Sequence, residues 1–322
     1  MTGSPPNRPF HIVVAESFDS FAVDRLRQVG EVSLLLDSTP EALIAAVPKA
    51  DALLVRSKAH VTARIIDAAP NLKVIGRASP TIDHIDLHAA QRRHIRVVYS
   101  PEAATNSAAE FALGLILAVN RRIPFLNRQL REGHFETLRK PERHEIGRQT
   151  IGLLGLDPVG RKLGKILYSA FQPTIIYHDP ENQTPEGFEA RAVDLATLLA
   201  ESDVLSVHLP LTRENRGLLN IEALAKMKTS AVLVNTSRGG LIDTLALAKA
   251  LKSHAIAGAA LDVFETEPLP NDHPLRKAPN CILTPHVAGM TLDASASRFN
   301  VADDVVRVLN GQPPQFPVPM KL

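Results

Sequence analysis

Short apolar runs alternate with longer mixed stretches along most of the chain. Ile12-Val13-Val14-Ala15 opens the series, followed by Val32-Ser33-Leu34-Leu35-Leu36, Ala52-Leu53-Leu54-Val55 and Val74-Ile75. Such runs, too short for helices, predict buried strands, and helical stretches lie between them. Strands and helices in alternation predict a parallel sheet. Thr105–Asn120 carries apolar and small residues nearly all round, which predicts a deeply buried helix. A second series begins at Thr150-Ile151-Gly152-Leu153-Leu154. It continues through Thr174–Tyr177, Val204–Val207, Ala231–Val234, Ile256–Leu261 and Cys281–Thr284. These are six strands, the number a dinucleotide-binding sheet uses. A last helix is predicted over about Ala294–Leu309, closed by Asn310-Gly311, because glycine accepts the left-handed turn that ends a helix. The expected class is α/β, with two Rossmann-like doubly wound parallel-sheet domains.

Composition changes this picture little. At 322 residues the chain accommodates two cores, and 45% hydrophobic with 22% charged residues is ordinary for a soluble globular protein. A net charge of +2 gives no argument for nucleic acid or membrane as a main partner. The apolar stretch Phe111–Val119 is about half of a bilayer span. The single cysteine, Cys281, excludes an intramolecular disulfide and fits a reducing compartment. Met1–Pro9 is polar and Pro-rich, a loose tail rather than a leader. The expected location is therefore cytoplasmic.

Chemistry concentrates in three segments far apart in the chain. They are Val234-Asn235-Thr236-Ser237-Arg238-Gly239-Gly240, Leu261-Asp262-Val263-Phe264-Glu265-Thr266-Glu267-Pro268, and Thr284-Pro285-His286-Val287-Ala288-Gly289. Oxidising a C–OH carbon needs a base for the hydroxyl proton, and imidazole titrates near working pH, which suits His286. A carboxylate such as Glu267 would fix its tautomer and raise its pKa. Arg238 could hold a substrate carboxylate bidentately. Singly, Arg238 reads as a surface cation, Glu267 as a turn acid and His286 as a helix-flanking histidine. Together, in this order, they resemble the D-2-hydroxyacid dehydrogenase family, within it the phosphoglycerate dehydrogenase branch.

The resemblance spans about residues 10–318 and implies roles residue by residue. His286, Glu267 and Arg238 would be catalytic. Asp262 resembles the residue that contacts the nicotinamide carboxamide, with a polar strand-end cap as the alternative. His208 and Pro210, in His208-Leu209-Pro210-Leu211-Thr212, match a loop beside the nicotinamide, with Asn215 where threonine is more usual. Thr236, Ser237 and Gly289 complete that half of an NAD site. Arg56 and Arg77 match positions that place positive charge near a substrate phosphate. The resemblance also implies a discontinuous substrate domain, 1–101 with 293–322, and an NAD-binding domain over 102–292, the two flanking a cleft. No regulatory C-terminal extension and no metal are expected. The partners expected are a 2-hydroxy or 2-keto acid, acidic or phosphorylated, and a second copy of the chain.

Three ligand-facing loops depart from that pattern. In place of G-x-G-x-x-G the chain reads Gly155-Leu156-Asp157-Pro158-Val159-Gly160. A carboxylate about 5 Å from one phosphate charge costs roughly 3 kcal/mol at an effective dielectric near 20, about a hundredfold in affinity before water screening. Asp followed by Pro is also a strong helix N-cap and first-turn pair. Two readings are open: Asp157 caps the helix itself, or the loop is rearranged and still binds. Asp179 fits a carboxylate for the adenine ribose, or alternatively a turn residue before Pro180. The substrate loop, Ala78-Ser79-Pro80-Thr81-Ile82-Asp83-His84, places Pro80 where a backbone donor would serve a substrate carboxylate, with Thr81 beside it. In the third loop, Ser100-Pro101-Glu102-Ala103-Ala104-Thr105, the asparagine common before Thr105 is missing. Between Arg121 and Arg148 lie eight Lys or Arg against four Glu, with no nucleic-acid-binding motif; the family uses this region as a dimer arm. Drift after loss of function would strike catalytic and ligand loops alike, so the intact Arg-Glu-His set favours an enzyme of altered specificity. The alternative is a catalytically impaired, dinucleotide-sensing or scaffolding paralogue.

Overall fold

A computed structural model describes residues 8–56, 58–79, 82, 84–135 and 144–318. Pro80 and Thr81, the ends of the chain and part of the basic arm lie outside the described residues. Two compact units form, one of Met1–Ala104 with Thr291–Leu322 and one of Thr105–Met290.

In the first unit the order is β1 (Phe10–Ala15), α1 (Ser20–Arg27), β2 (Gly30–Leu35), α2 (Pro40–Ala46), β3 (Ala52–Val55), α3 (Ala63–Asp67), β4 (Val74–Arg77), α4 (Leu87–Arg92) and β5 (Arg96–Tyr99). The strands form a parallel sheet in the order β2-β1-β3-β4-β5. Along β1, Val13 and Ala15 join one buried cluster while Ile12 and Val14 join another. Both faces are therefore covered, which is why the strand sequences read as unbroken apolar runs. The fifth strand was not expected from its sequence: Arg96-Val97-Val98-Tyr99 holds two aliphatic residues only.

The second unit contains α5 (Thr105–Asn120), α6 (Ile123–Arg131), β6 (Thr150–Leu154), α7 (Pro158–Phe171), β7 (Thr174–His178), β8 (Arg191–Ala192), α8 (Leu195–Glu201), β9 (Val204–Val207), α9 (Ile221–Ala225), β10 (Val232–Asn235), α10 (Thr244–Lys252), β11 (Gly258–Leu261) and β12 (Cys281–Leu283). Its parallel sheet runs β12-β11-β10-β9-β6-β7-β8. Six of these strands are the ones expected; the two-residue β8 is an exposed edge with no apolar signal. The strand order reverses between β6 and β9, so the loops at their C-terminal ends flank the switch point where such folds bind ligands.

The chain returns to the first unit through α11 (Leu292–Ser297) and α12 (Val301–Leu309). A single helix was expected here. The Ser297 hydroxyl donates to Ala103 O at 2.8 Å and Ser100 to Arg298 O at 2.7 Å, so side chains engage backbone carbonyls around the 3₁₀ turn that separates the two. The C-terminus of α12 behaves as expected: Gly311 has φ 74°, and the N–H groups of Gly311 and Gln312 donate to Val308 O and Arg307 O.

Candidate active site

Arg238, Glu267 and His286 all leave the C-terminal edge of the second unit's sheet. β10 ends at Asn235, whose fully buried amide clamps the loop beyond it. Its Oδ1 accepts from the Ser237 N–H at 2.9 Å and its Nδ2 donates to Arg238 O at 2.9 Å. The clamp leaves the Arg238 side chain exposed, and a Cβ on Gly239 would lie 1.9 Å from the Phe264 carbonyl carbon, so only glycine lets these two loops meet.

After β11, Asp262 is 0% exposed. Its Oδ1 accepts from the Thr284 hydroxyl at 2.6 Å and the Val287 N–H at 3.0 Å, its Oδ2 from the Ala288 N–H at 2.8 Å, and its carbonyl from the His286 N–H at 2.8 Å. Four bonds thus fasten the loop in which His286 takes a left-handed conformation, φ 55°. The polar strand-end cap is the role this geometry displays for Asp262.

Glu267 spans from the Phe264 N–H, 2.9 Å from Oε1, to His286 Nδ1, 2.8 Å from Oε2. A carboxylate only accepts, so Nδ1 carries the proton and Nε2 keeps its lone pair. Both side chains reach solvent, at 56% for His286 and 37% for Glu267. They line a cavity of about 540 Å³ with Phe264, Leu269, Leu283 and Pro285. The site can therefore orient an imidazole and offer a proton acceptor; Arg238 leaves the same sheet edge but is not among the residues lining this cavity.

At the switch point, Gly155 has φ 96° and a Cβ there would lie 2.5 Å from His208 O, so the turn requires glycine. Asp157 is the N-cap of α7 and Pro158 its first-turn residue; Asp157 Oδ1 accepts from the Gly160 N–H at 2.7 Å. The self-capping arrangement is the one adopted, with Val159 packed partly against the core. Asp179 accepts from Leu156 N–H at 2.7 Å and from the N–H groups of Glu181 and Gln183, which ties β7 to the glycine-rich loop. His208 is buried beneath. Its Nε2 pairs with the Ser206 hydroxyl at 2.8 Å, its Nδ1 has no hydrogen-bond partner among the described residues, and Asp157 lies 3.9 Å away. Burial lowers the His208 pKa, and the Asp157 carboxylate partly opposes that shift.

Asn215, the departure from the usual threonine, donates to Pro210 O and accepts from the Thr212 N–H, both at 2.7 Å, and so closes that loop. The Thr236 hydroxyl is buried without a partner among the described residues, Ser237 donates to Leu209 O at 3.3 Å, and Gly289 follows the anchored Ala288.

In the first unit, Arg56 follows β3 with its guanidinium over Phe299 at 6.0 Å. Arg77 was expected just after a strand; it is instead the last residue of β4, paired with Val55 and Tyr99 and 2% exposed. The apolar run ends at Ile75, and hydrogen bonding carries the strand two residues further. Two organising residues were not singled out from sequence. Asn235 ends an apolar strand, a signal that could have found it. Arg298, its pKa lowered by burial and then by the Arg56 guanidinium, gave no signal because the contact is long-range.

Comparison with known proteins adds ancestry to this geometry. Residues 113–288 match the family model described as D-isomer specific 2-hydroxyacid dehydrogenase, NAD binding domain. A D-3-phosphoglycerate dehydrogenase of Archaeoglobus fulgidus is 40% identical over 306 residues, which is 94% of this chain and 58% of that protein. The chain thus spans a little over half the length of that relative. A glyoxylate reductase of Thermofilum pendens is 43% identical over 285 residues, covering 85% of this chain and 83% of its own. A crystal structure of a protein from Thermus thermophilus superposes with a TM-score of 0.82 at 36% identity, over 96% of this chain and all of that one.

Proposed function

The chain belongs to the D-isomer specific 2-hydroxyacid dehydrogenase family, and from that membership we propose that it is an NAD-dependent oxidoreductase interconverting a D-2-hydroxy acid and its 2-keto acid. The observation that carries this reading is the 2.8 Å bond between His286 Nδ1 and Glu267, which leaves Nε2 as the basic nitrogen. In the oxidative direction His286 Nε2 takes the hydroxyl proton, and the Glu267 carboxylate stabilises the imidazolium that results. In reduction the same nitrogen returns the proton to the keto oxygen. Arg238 pairs with the substrate carboxylate and polarises the neighbouring carbonyl. Gly155, Gly160, Asp179 and the loops at His208–Pro210 and Thr236–Ser237 would hold NAD, which when bound exchanges the hydride.

The glycines and Asp179 fit such a cofactor. Asp157 does not help it, because its carboxylate already takes a first-turn N–H that a pyrophosphate would use. A second reading is a catalytically impaired, dinucleotide-sensing or scaffolding paralogue, and that observation favours its scaffolding form. The two are separated by an NADH fluorescence titration, for which a chain with no tryptophan contributes little background. Micromolar binding, with turnover of a 2-keto acid, supports the dehydrogenase; no binding up to millimolar NADH overturns it.

The substrate class proposed is an acidic or phosphorylated hydroxy acid, since Arg56, Arg298 and Arg77 supply positive charge in the first unit, and Pro80 and Thr81 stay candidates as its neighbours in sequence. A homodimer through α6 is part of the same proposal: Ile123, Leu126 and Leu130 lie along one exposed face of that helix. So is a reducing, cytoplasmic setting, with burial pushing the lone Cys281 thiol up to about 12. Among the described residues no helix is long and apolar enough to cross a membrane.

A further inference from the structure

We infer that His208 is a second seat for the Asp157 carboxylate, and that Asp157 moves there from the Gly160 N–H to open the start of α7 to a dinucleotide pyrophosphate. Such a movement presupposes the dinucleotide site proposed above and assigns control of access to two side chains of this chain.

Two partners lie within reach of Asp157. Its Oδ1 accepts from the Gly160 N–H at 2.7 Å, and the same oxygen lies 3.9 Å from His208 Nδ1. That nitrogen is buried and has no hydrogen-bond partner among the described residues. The rest of the ring is fixed: Ser206 pairs with Nε2 at 2.8 Å, and a Cβ on Gly160 would lie 3.0 Å from His208 Cγ, so the glycine-rich turn rests on the ring. The Asp157 side chain is one-third exposed and has room to turn. An approach of about 1 Å brings its carboxylate to the length of a charge-assisted hydrogen bond. A buried nitrogen left unpaired favours that approach, because pairing removes the penalty of its lost hydration.

Charge decides when the carboxylate moves. With Asp157 on the Gly160 N–H, burial holds the His208 pKa down, and Asp157 is the one charge acting on the ring among the described residues. Ser206 from β9 and the glycines of the turn after β6 bring none. The other charged groups of the loop are engaged elsewhere. Arg161 donates to Leu156 O at 2.9 Å, Asp179 accepts from three backbone N–H groups, and His178 Nδ1 pairs with Val193 O at 3.0 Å. Once Asp157 yields the Gly160 N–H to a pyrophosphate, two negative groups face the imidazole and favour its protonated form. His208 then takes one proton from solvent, donating from Nδ1 to Asp157 and from Nε2 to the Ser206 oxygen. Binding is thereby linked to proton uptake and tightens as the pH falls, by at most about tenfold per pH unit for one proton.

The test is a calorimetric titration of the whole chain with NADH between pH 8 and pH 6, in two buffers of different ionisation enthalpy, beside Asp157→Asn and His208→Asn. Asparagine still caps α7, and melting temperatures at pH 8 verify both folds. The parent should take up protons on binding and hold NADH at least about fivefold more tightly at pH 6 than at pH 8. Both effects should disappear in each variant. Undiminished uptake in Asp157→Asn places its cause in the pyrophosphate alone and overturns the second seat. Uptake retained in His208→Asn assigns the proton to another group and overturns it too, as does a pH-independent affinity in the parent. No NADH binding at any pH removes the dinucleotide reading as well, so the two failures are told apart. The readout is heat and protons and needs no turnover.

Discussion

Asp157 serves as a cap and stands where an anion would bind, and the two roles respond differently to substitution. Asp157→Gly removes the carboxylate from the Gly160 N–H and leaves a residue nearly as good at a helix N-terminus. NADH should then bind at least several-fold more tightly, with a stability loss of only a few tenths of a kcal/mol; equal or weaker affinity in a fluorescence titration would sink the electrostatic account. Asp157→Ala should cost about 1 kcal/mol in urea unfolding, since alanine cannot cap. Arg238 poses the opposite case. Its guanidinium is exposed and its intramolecular bond is to the neighbouring Ser237 O, at 2.8 Å. Arg238→Ala should leave the melting temperature unchanged while kcat/KM falls roughly ten- to a hundredfold, the equivalent of one lost charge-assisted contact. Unchanged turnover would remove Arg238 from the site. The residues that carry chemistry were readable because each sits in a short run of fixed order. Asn235 and Asp262 were harder, since their work is done by buried amide and carboxylate groups on loops distant in sequence.

At the scale of elements, α6 is the least explained by its own unit, as none of its residues is buried. Ile123, Leu126 and Leu130 share one face, while Phe125 and Arg128 lie on the other and line a cavity with Asn280 and Ile282. An Ile123→Asp/Leu130→Asp variant should therefore run as a monomer in light scattering, with its far-UV spectrum retained; a parent that is already monomeric would contradict the dimer. Elements with continuous apolar runs, β1, β3, β6 and β9, follow from sequence because parallel strands are buried on both faces. β5 and β8 do not, because edge position lets a strand form with little apolar content. The 3₁₀ break between α11 and α12 escaped for a related reason: the hydroxyls of Ser297 and Ser100 reach carbonyls that no local pattern reveals.

For the molecule as a whole, the buried His208 couples stability to pH. Burial lowers its pKa in the folded state below the ordinary 6.5. The unfolded chain then binds more protons than the folded one once the pH falls below that value, so stability is full above about 6.5 and declines as acidity increases. A melting-temperature series from pH 8 to 5 should show that decline, and His208→Asn should flatten it; a parallel slope in the variant would assign the effect elsewhere.

The sequence by itself determined the strand-and-helix alternation and the order of the Arg-Glu-His set, and it offered Asp157 as a cap of α7 alongside a rearranged binding loop as the alternative. These are local: they depend on burial period, on cap chemistry and on which functional groups a reaction requires. Tertiary structure alone decided that Glu267 meets His286 at 2.8 Å, that Asp262 fastens the histidine loop, and that Arg77 belongs to the interior. The physical reason is that a hydrogen bond or a buried charge is specified by approach within about 3 Å, and sequence separation carries no information about that approach until the sheets have formed.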